Sequence, residues 1–154
     1  MSKFKLRNME EKDIDVIYKH IHKDYVNKYF KNERELKELH NREYKSILQS
    51  KEYIFHIFEN NSEDFIAMVR HRLKDEISEI AIYLNKEFRG KKHSKEILKT
   101  SIEKLRVQRK EIKLIKALIL KENIISQKLF LSLKFKLREI KTYDTIDYLI
   151  LVLD

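Results

Sequence analysis

The residues best suited to chemistry lie in one stretch, Lys86-Glu87-Phe88-Arg89-Gly90-Lys91-Lys92-His93-Ser94-Lys95. It holds the only glycine of a 154-residue chain that has no proline. An apolar, strand-like run from Ile77 to Leu84 precedes it, and an amphipathic helical pattern follows. At such a strand-to-helix turn the first N–H groups of the helix point outward and the helix dipole favours negative charge. Gly90 is the position where the backbone can bend most freely. Arg89, Lys91, Lys92, His93 and Lys95 crowd cations around it. The stretch reads in two ways: a turn that wraps a phosphate, or a basic surface turn that binds nothing.

The other candidate chemistry is thinner. The chain has no cysteine, so it holds no disulfide or thiolate metal site. His20 and His22 are two apart and do not share a helix face. His56 and His71 are candidate cross-strand neighbours, with no carboxylate at ligand spacing, so no metal is expected. The formal net charge of +9 has three readings: a lysine-rich solvated surface, a polyanionic cofactor or substrate, or nucleic acid. Nucleic acid is the least favoured partner. The first residues, Met1 to Arg7, lack the apolar core of a signal peptide, and no apolar run is long enough to span a membrane. A cytoplasmic protein with no membrane partner, monomeric or homodimeric, is expected.

The elements that must position the turn follow from periodicity. Phe4 and Leu6 alternate with cations as a first strand. Asp13 to Tyr29 places Ile14, Ile17, Ile21 and Tyr25 on one helical face. Asn32, with Glu35 as its capping-box partner, opens a helix to about Gln49. Tyr53 to Phe58 and Phe65 to Leu73 flank the polar cluster Glu59 to Asp64 as a hairpin. Ile77 to Leu84 is the fourth strand, with Glu79 embedded in it. Ser94 is the expected cap of the next helix, whose Ile97, Leu98, Ile102 and Leu105 repeat at helical spacing. Glu111 to Leu120 is apolar enough for a central strand. A short helix, Ile124 to Leu133, and two strands, Phe135 to Ile140 and Tyr148 to Leu153, close the chain. The order predicts one domain over residues 1–154, a mixed α/β (α+β) fold. Its central sheet is flanked by helices, and its fourth and fifth strands are parallel neighbours through a right-handed crossover.

That order, with an anion-binding turn after the fourth strand, resembles the GCN5-related N-acetyltransferases (GNAT). Two segments carry the resemblance, which is clearest from Ser78 to Phe135. The family loop reads Arg/Gln-x-x-Gly-x-Gly/Ala. Arg89 matches its first position, Lys92 stands at the first motif glycine, and Ser94 stands at the second small residue. Gly90 falls at an x position. The family's Asn-x-x-(Ala/Ser)-x-x-Leu-(Tyr/Phe)-x-x-x-Gly-Phe block is matched by Asn123, Ser126, Leu129, Phe130, Lys134 and Phe135. Lys134 replaces the usual glycine, and Phe130 takes the place often held by a catalytic tyrosine.

The resemblance implies acetyl transfer from acetyl-CoA to a primary amine on a small molecule or a peptide. Backbone N–H groups from Gly90 to Ser94 would cradle the pyrophosphate, with Arg89, Lys91, Lys92, His93 and Lys95 adding charge. At Lys92 the Cβ is expected to exclude a positive φ. Tyr83 and Leu84 would pair with the pantetheine arm between the splayed fourth and fifth strands, and Asn123, Ser126 and Phe130 would line it. Glu79 would deprotonate the amine; the competing reading is an outward Glu paired with a lysine on a neighbouring strand. Phe130 cannot protonate the leaving thiolate, which leaves water, Tyr83, Tyr143 or unassisted departure. The acceptor is expected between the N-terminal helices and the outer sheet, near Tyr25, Tyr29, Phe30, His56, Arg70 and Arg72. A nucleotide-linked amino sugar or a protein N-terminus suits that lining, and a polyamine suits it less because the chain is basic. The alternative is a non-catalytic basic module of the same fold that binds RNA, a ribosome or a protein partner.

Overall fold

The structure is a computed structural model that describes residues 4–21, 33–90 and 92–154. Expectations resting on His22, Tyr25, Tyr29, Phe30, Asn32 and Lys91 lie outside the described residues. Seven strands form one sheet: β1 (Lys5–Asn8), β2 (Tyr53–Glu59), β3 (Phe65–Lys74), β4 (Ile77–Leu84), β5 (Leu114–Leu120), β6 (Lys136–Tyr143) and β7 (Ile146–Leu153), in the order β1-β2-β3-β4-β5-β7-β6. The described helices are α1 (Asp13–Ile21), α2 (Glu33–Gln49), α3 (Ser94–Gln108) and α4 (Ile124–Ser132). None of them is long and apolar enough to cross a membrane. The element order is the one read from the sequence. The fifth strand begins at Leu114 rather than Glu111, because Lys113 and Leu114 both donate to the Glu76 carbonyl as the chain enters the sheet.

Alternation along the strands divides the core in two. Val69, Leu73, Ile80, Ile115 and Ala117 meet Ile97, Leu98, Ile102 and Leu105 of α3 on one face. Phe55, Ile57 and Met68 meet Ile17 of α1 and Tyr44, Ile47 and Leu48 of α2 on the other. Arg7 ties the entry of α1 to the sheet. Its guanidinium donates to both oxygens of Asp13 at 2.6 and 2.7 Å, and to Glu59 at 2.8 Å. Asp13 also accepts from the Glu10 N–H at 2.7 Å, so one carboxylate closes the turn before α1 and holds it against β1.

The α3 face carries a buried polar chain. Gln108 Nε2 donates to Asn8 Oδ1 at 2.9 Å, so its Oε1 accepts from the His56 Nε2–H at 2.8 Å. The Ser101 hydroxyl then donates to His56 Nδ1 and accepts from the His71 Nε2–H, both at 2.7 Å. His71 Nδ1 is left to accept from Ser78 at 3.3 Å. Every step is met with both imidazoles neutral. His56 is therefore not on the acceptor face. It points to the opposite side of the sheet, because strand alternation groups it with Phe58 rather than with Phe55. His56 and His71 are not direct cross-strand partners either: they oppose Val69 and Ile54, with rings 5.1 Å apart on a diagonal.

Burial holds both rings below the ordinary imidazole value, His71 down to about 3, with His56 adding repulsion. As pH falls, the unfolded chain takes up these protons first. The stability from keeping the rings neutral is complete above about pH 6.5 and is withdrawn as pH drops toward about 3, where folded His71 protonates. Between pH 6.5 and 5, His71 alone should withdraw roughly 1.5 kcal/mol at ~1.36 kcal/mol per pKa unit. Urea midpoints measured across that range should fall accordingly. A flat profile would show that the pair accepts protons inside the fold.

Candidate active site

The sheet is built to part at its centre. β3 and β4 pair along eight residue pairs, but β4 and β5 pair only through Ile77–Leu114, Ser78–Ile115 and Glu79–Lys116. Beyond Glu79 the parallel strands diverge. The gap is a cleft of about 200 Å³ lined by Ile80, Ala81, Ile82, Ala117 to Leu120, Asn123, Ser126, Phe130 and Tyr148. Tyr83 and Leu84 pair with Met68 and Ala67 on the β3 side only. The β4 backbone on the β5 side therefore has the form of an open sheet edge.

Asn85 ends β4, a role the sequence reading missed. Its N–H donates to the Ile66 carbonyl at 2.7 Å and its Nδ2 donates to the Phe65 carbonyl at 2.8 Å. Its Oδ1 accepts from the Glu87 N–H and starts the 3₁₀ turn Lys86–Phe88. An Asn immediately after an apolar strand and before a turn was the available signal. Arg89 follows. Its Nε donates to the Leu84 carbonyl at 3.0 Å, and its guanidinium lies 5.6 Å from the centre of the Tyr83 ring. Arg89 thus braces the end of β4 and sits at the mouth of the gap.

Gly90 takes φ +76, with nothing within 4 Å of an added Cβ, so the bend and not the space selects glycine. Lys92 takes φ +62, which corrects the expectation that its Cβ would exclude positive φ. The turn keeps the backbone of a glycine loop and holds a lysine in it. Helix α3 starts at Ser94, with His93 rather than Ser94 in the cap position and no side-chain cap bond. The His93 ring instead packs edge-on against Phe4 at 5.0 Å. The first N–H groups of α3, from Ser94 and Lys95, lack intrahelical partners by the geometry of a helix start. Lys92 and Lys95 stand exposed beside them.

The second segment repeats this substitution. Asn123 caps α4, accepting from the Ser126 N–H at 3.1 Å. Its Nδ2 bonds to no described residue. At the other end of α4, the Lys134 N–H donates to Leu131 and the Phe135 N–H donates to Phe130, a Schellman closure. Lys134 holds its left-handed position at φ +73, and Phe130 packs edge-on against Phe135 at 5.1 Å. The closure sets buried Phe130 into the wall of the cleft.

A scan of protein families matches residues 3–136 to the acetyltransferase (GNAT) domain. The chain belongs to the GNAT acetyltransferases. Its fold is likewise similar to solved spermidine N-acetyltransferases from Vibrio cholerae. A point mutant of SpeG aligns with TM-score 0.82 and 16% identity, covering 99% of this chain and 94% of that one. A chimera of SpeG with hSSAT aligns at 0.79 and 15%, covering 99% and 96%. A dodecameric structure of the Vibrio enzyme in an intermediate state aligns at 0.79 and 15%, covering 99% and 94%. No curated protein matches the sequence significantly. GNAT enzymes take their acetyl group from acetyl-CoA, and the open β4 edge, the Arg89–Ser94 turn and the Asn123 cap fit such a donor.

The two residues named for catalysis are not brought together. Glu79 and Tyr83 share a strand face but lie four residues apart, about 13 Å along the strand. Glu79 sits half-buried at the fork, opposite Arg72 on β3 and Lys116 on β5. Tyr83 turns its hydroxyl to the His20 carbonyl of α1 and stacks on Phe65 at 6.4 Å. Tyr143 stands exposed near the end of the β6–β7 hairpin, packed on Tyr148 at 5.8 Å. Tyr148 lines the cleft together with Ser126, and the sequence reading passed over it because only the β5–β7 pairing carries it to Phe130. Among the described residues, no group of three His, Asp or Glu side chains is placed to hold a metal.

A lysine in the left-handed region carries a steric penalty of about 1–2 kcal/mol that glycine lacks, less the greater entropy glycine loses on folding. Lys134→Gly should raise unfolding free energy by roughly 0.5–1 kcal/mol with the acetyl-CoA affinity retained. Chemical denaturation reads the first and calorimetry the second; destabilisation would mean that the lysine side chain contributes more than its backbone loses.

Proposed function

We propose that this acetyltransferase acetylates a primary amine held over the β4–β5 fork, with Glu79 as the base. The observation that carries the reading is the parting of β4 from β5 immediately beyond Glu79. It places a carboxylate at the closed end of a cleft whose open edge matches an extended pantetheine arm. Acetyl-CoA supplies a thioester whose carbonyl carbon the amine attacks. The β4 backbone beyond Glu79 aligns the arm, and the N–H groups at the start of α3, with Arg89 and Lys92, hold its phosphates. The Glu79 carboxylate takes the ammonium proton, directly or through one water, and frees the amine lone pair. Phe130 has no proton to give. Tyr148, lining the same cleft, takes the role of donor to the leaving thiolate, which also leaves readily unassisted. Nucleotide-linked amino sugars and protein N-termini are the acceptor classes that the basic open face favours over the spermidine used by the solved neighbours.

Melting curves recorded with acetyl-CoA test the reading. A ligand at one hundred times its Kd stabilises by about 2.7 kcal/mol, so millimolar acetyl-CoA should raise the melting temperature by several degrees. No shift would overturn the proposal, and salt-dependent RNA binding in its place would favour a non-catalytic basic module. Glu79→Gln should lower turnover about 100-fold or more while leaving acetyl-CoA affinity within twofold. Tyr148→Phe should lower turnover by a smaller factor, about tenfold, with acetyl-CoA affinity retained; unchanged turnover would remove Tyr148 from the mechanism.

A further inference from the structure

The sheet face that carries Glu79 is unusually cationic around it. Arg70, Arg72 and Lys74 alternate along β3 and therefore point to one side, about 6.6 Å apart. Arg72 opposes Glu79 across the β3–β4 ladder, and Lys116 opposes it across the β4–β5 pair. A cleft of about 230 Å³ opens here, lined by Arg72, Lys74, Asp75, Ile77, Glu79 and Lys116. It adjoins the gap between the strands: Glu79 and Lys116 end the first, and Ile80 and Ala117 begin the second.

The described part of the fold leaves these cations unpaired. Among the described residues, Arg7, Lys12, Lys45, Arg109 and Lys113 all pair with carboxylates, whereas Arg72, Lys74 and Lys116 make no ion pair. Glu79 and Asp75 line the same cleft without closing on them. Two residues back along β3, opposite Ala81, the Nε of Arg70 is buried with no hydrogen-bond partner among the described residues. Its charge is felt at Tyr44 of α2, whose hydroxyl burial pushes up and Arg70 pulls back. A buried guanidinium nitrogen without an acceptor is a destabilising arrangement unless a ligand completes it.

We infer that this cleft is an acceptor subsite for an oxyanion, so that the amine acetylated here also carries a phosphate or carboxylate. The inference rests on the acetyltransferase reading and adds the substrate class. An anion set on Arg72, Lys74 and Lys116 orients the acceptor with its amine toward Glu79. The strand spacing puts amine and anion about 5–8 Å apart. A planar guanidinium with a lysine beside it on β3 and another across Glu79 on β5 suits a bidentate phosphate or carboxylate. A polycation such as spermidine would meet unpaired like charges instead, which is negative selection against it.

Calorimetric titration with glucosamine 6-phosphate, glucosamine, 6-aminohexanoate, hexylamine and spermidine, each with CoA present and absent, tests this. The wild-type protein should bind at least one anionic amine ten times or more tighter than its neutral partner, with spermidine weakest. The phosphate and carboxylate pairs tell the two anions apart. In Arg72→Gln/Lys116→Gln protein, shown folded by its melting curve, the anionic-to-neutral ratio should fall to within about twofold. Equal affinities in both pairs, tighter binding of spermidine, or a ratio unmoved by the double substitution would each overturn the subsite. Acetyl-CoA binding is read separately, so a protein that binds acetyl-CoA but prefers spermidine keeps the acetyltransferase reading and loses this one. A protein that binds no acetyl-CoA but retains the anion preference keeps the anion site and loses its reading as an acceptor subsite.

Discussion

The site depends on one constraint: β4 and β5 are hydrogen-bonded for three residue pairs and then part. A parallel ladder that stayed zipped beyond Glu79 would leave no open edge between β4 and β5. The parting is sustained from both sides. β3 holds β4 through eight residue pairs, and β7 holds β5 through six, so each strand can give up its shared edge without losing its place in the sheet. The apolar residues of β5 that face α3 are then free to anchor the fork from below while its mouth stays open.

Around that fork the chain replaces glycine with lysine twice, at Lys92 and Lys134, and in both cases the backbone still adopts the left-handed conformation. The conformation is imposed by its surroundings. At Lys134 two carbonyls at the end of α4 require donors from the next two residues, and only a left-handed residue lets both reach. At Lys92 the turn must deliver the chain to the start of α3, whose apolar face is already committed to the core. Tertiary geometry overrides a local preference worth about 1–2 kcal/mol per residue. In return both turns gain an exposed positive charge that glycine could not supply.

Electrostatics divides the two faces of the sheet. On the α3 face, polar groups are buried and mutually satisfied, with His56, His71, Ser101 and Ser78 forming a neutral chain. On the α1–α2 face, beyond the apolar cluster under the helices, the cations along β3 and β5 make no ion pair among the described residues. The first arrangement is what a core requires of buried polar groups. The second is what a binding surface leaves open.

Much of the fold was legible in the chain alone. Apolar periodicity located every described strand and α-helix, because strands and helices differ in the repeat that puts side chains on one face. The turn after β4 and the Asn123 cap were legible too, since turn and cap chemistry is local. Facing was not legible: His56 was assigned to the wrong side because alternation says which residues share a face but not which face the helices cover. Nor was the backbone at Lys92, because a lysine does not announce a left-handed turn that its neighbours enforce. Tyr148 reached the cleft, and Arg72 and Lys116 came to flank Glu79, only through strand pairings between residues distant in sequence. The sequence by itself determined the elements, the turn and the charge. The tertiary structure decided where the sheet opens and which charges stand around the opening, because those depend on which strands become neighbours and how far each pair stays joined.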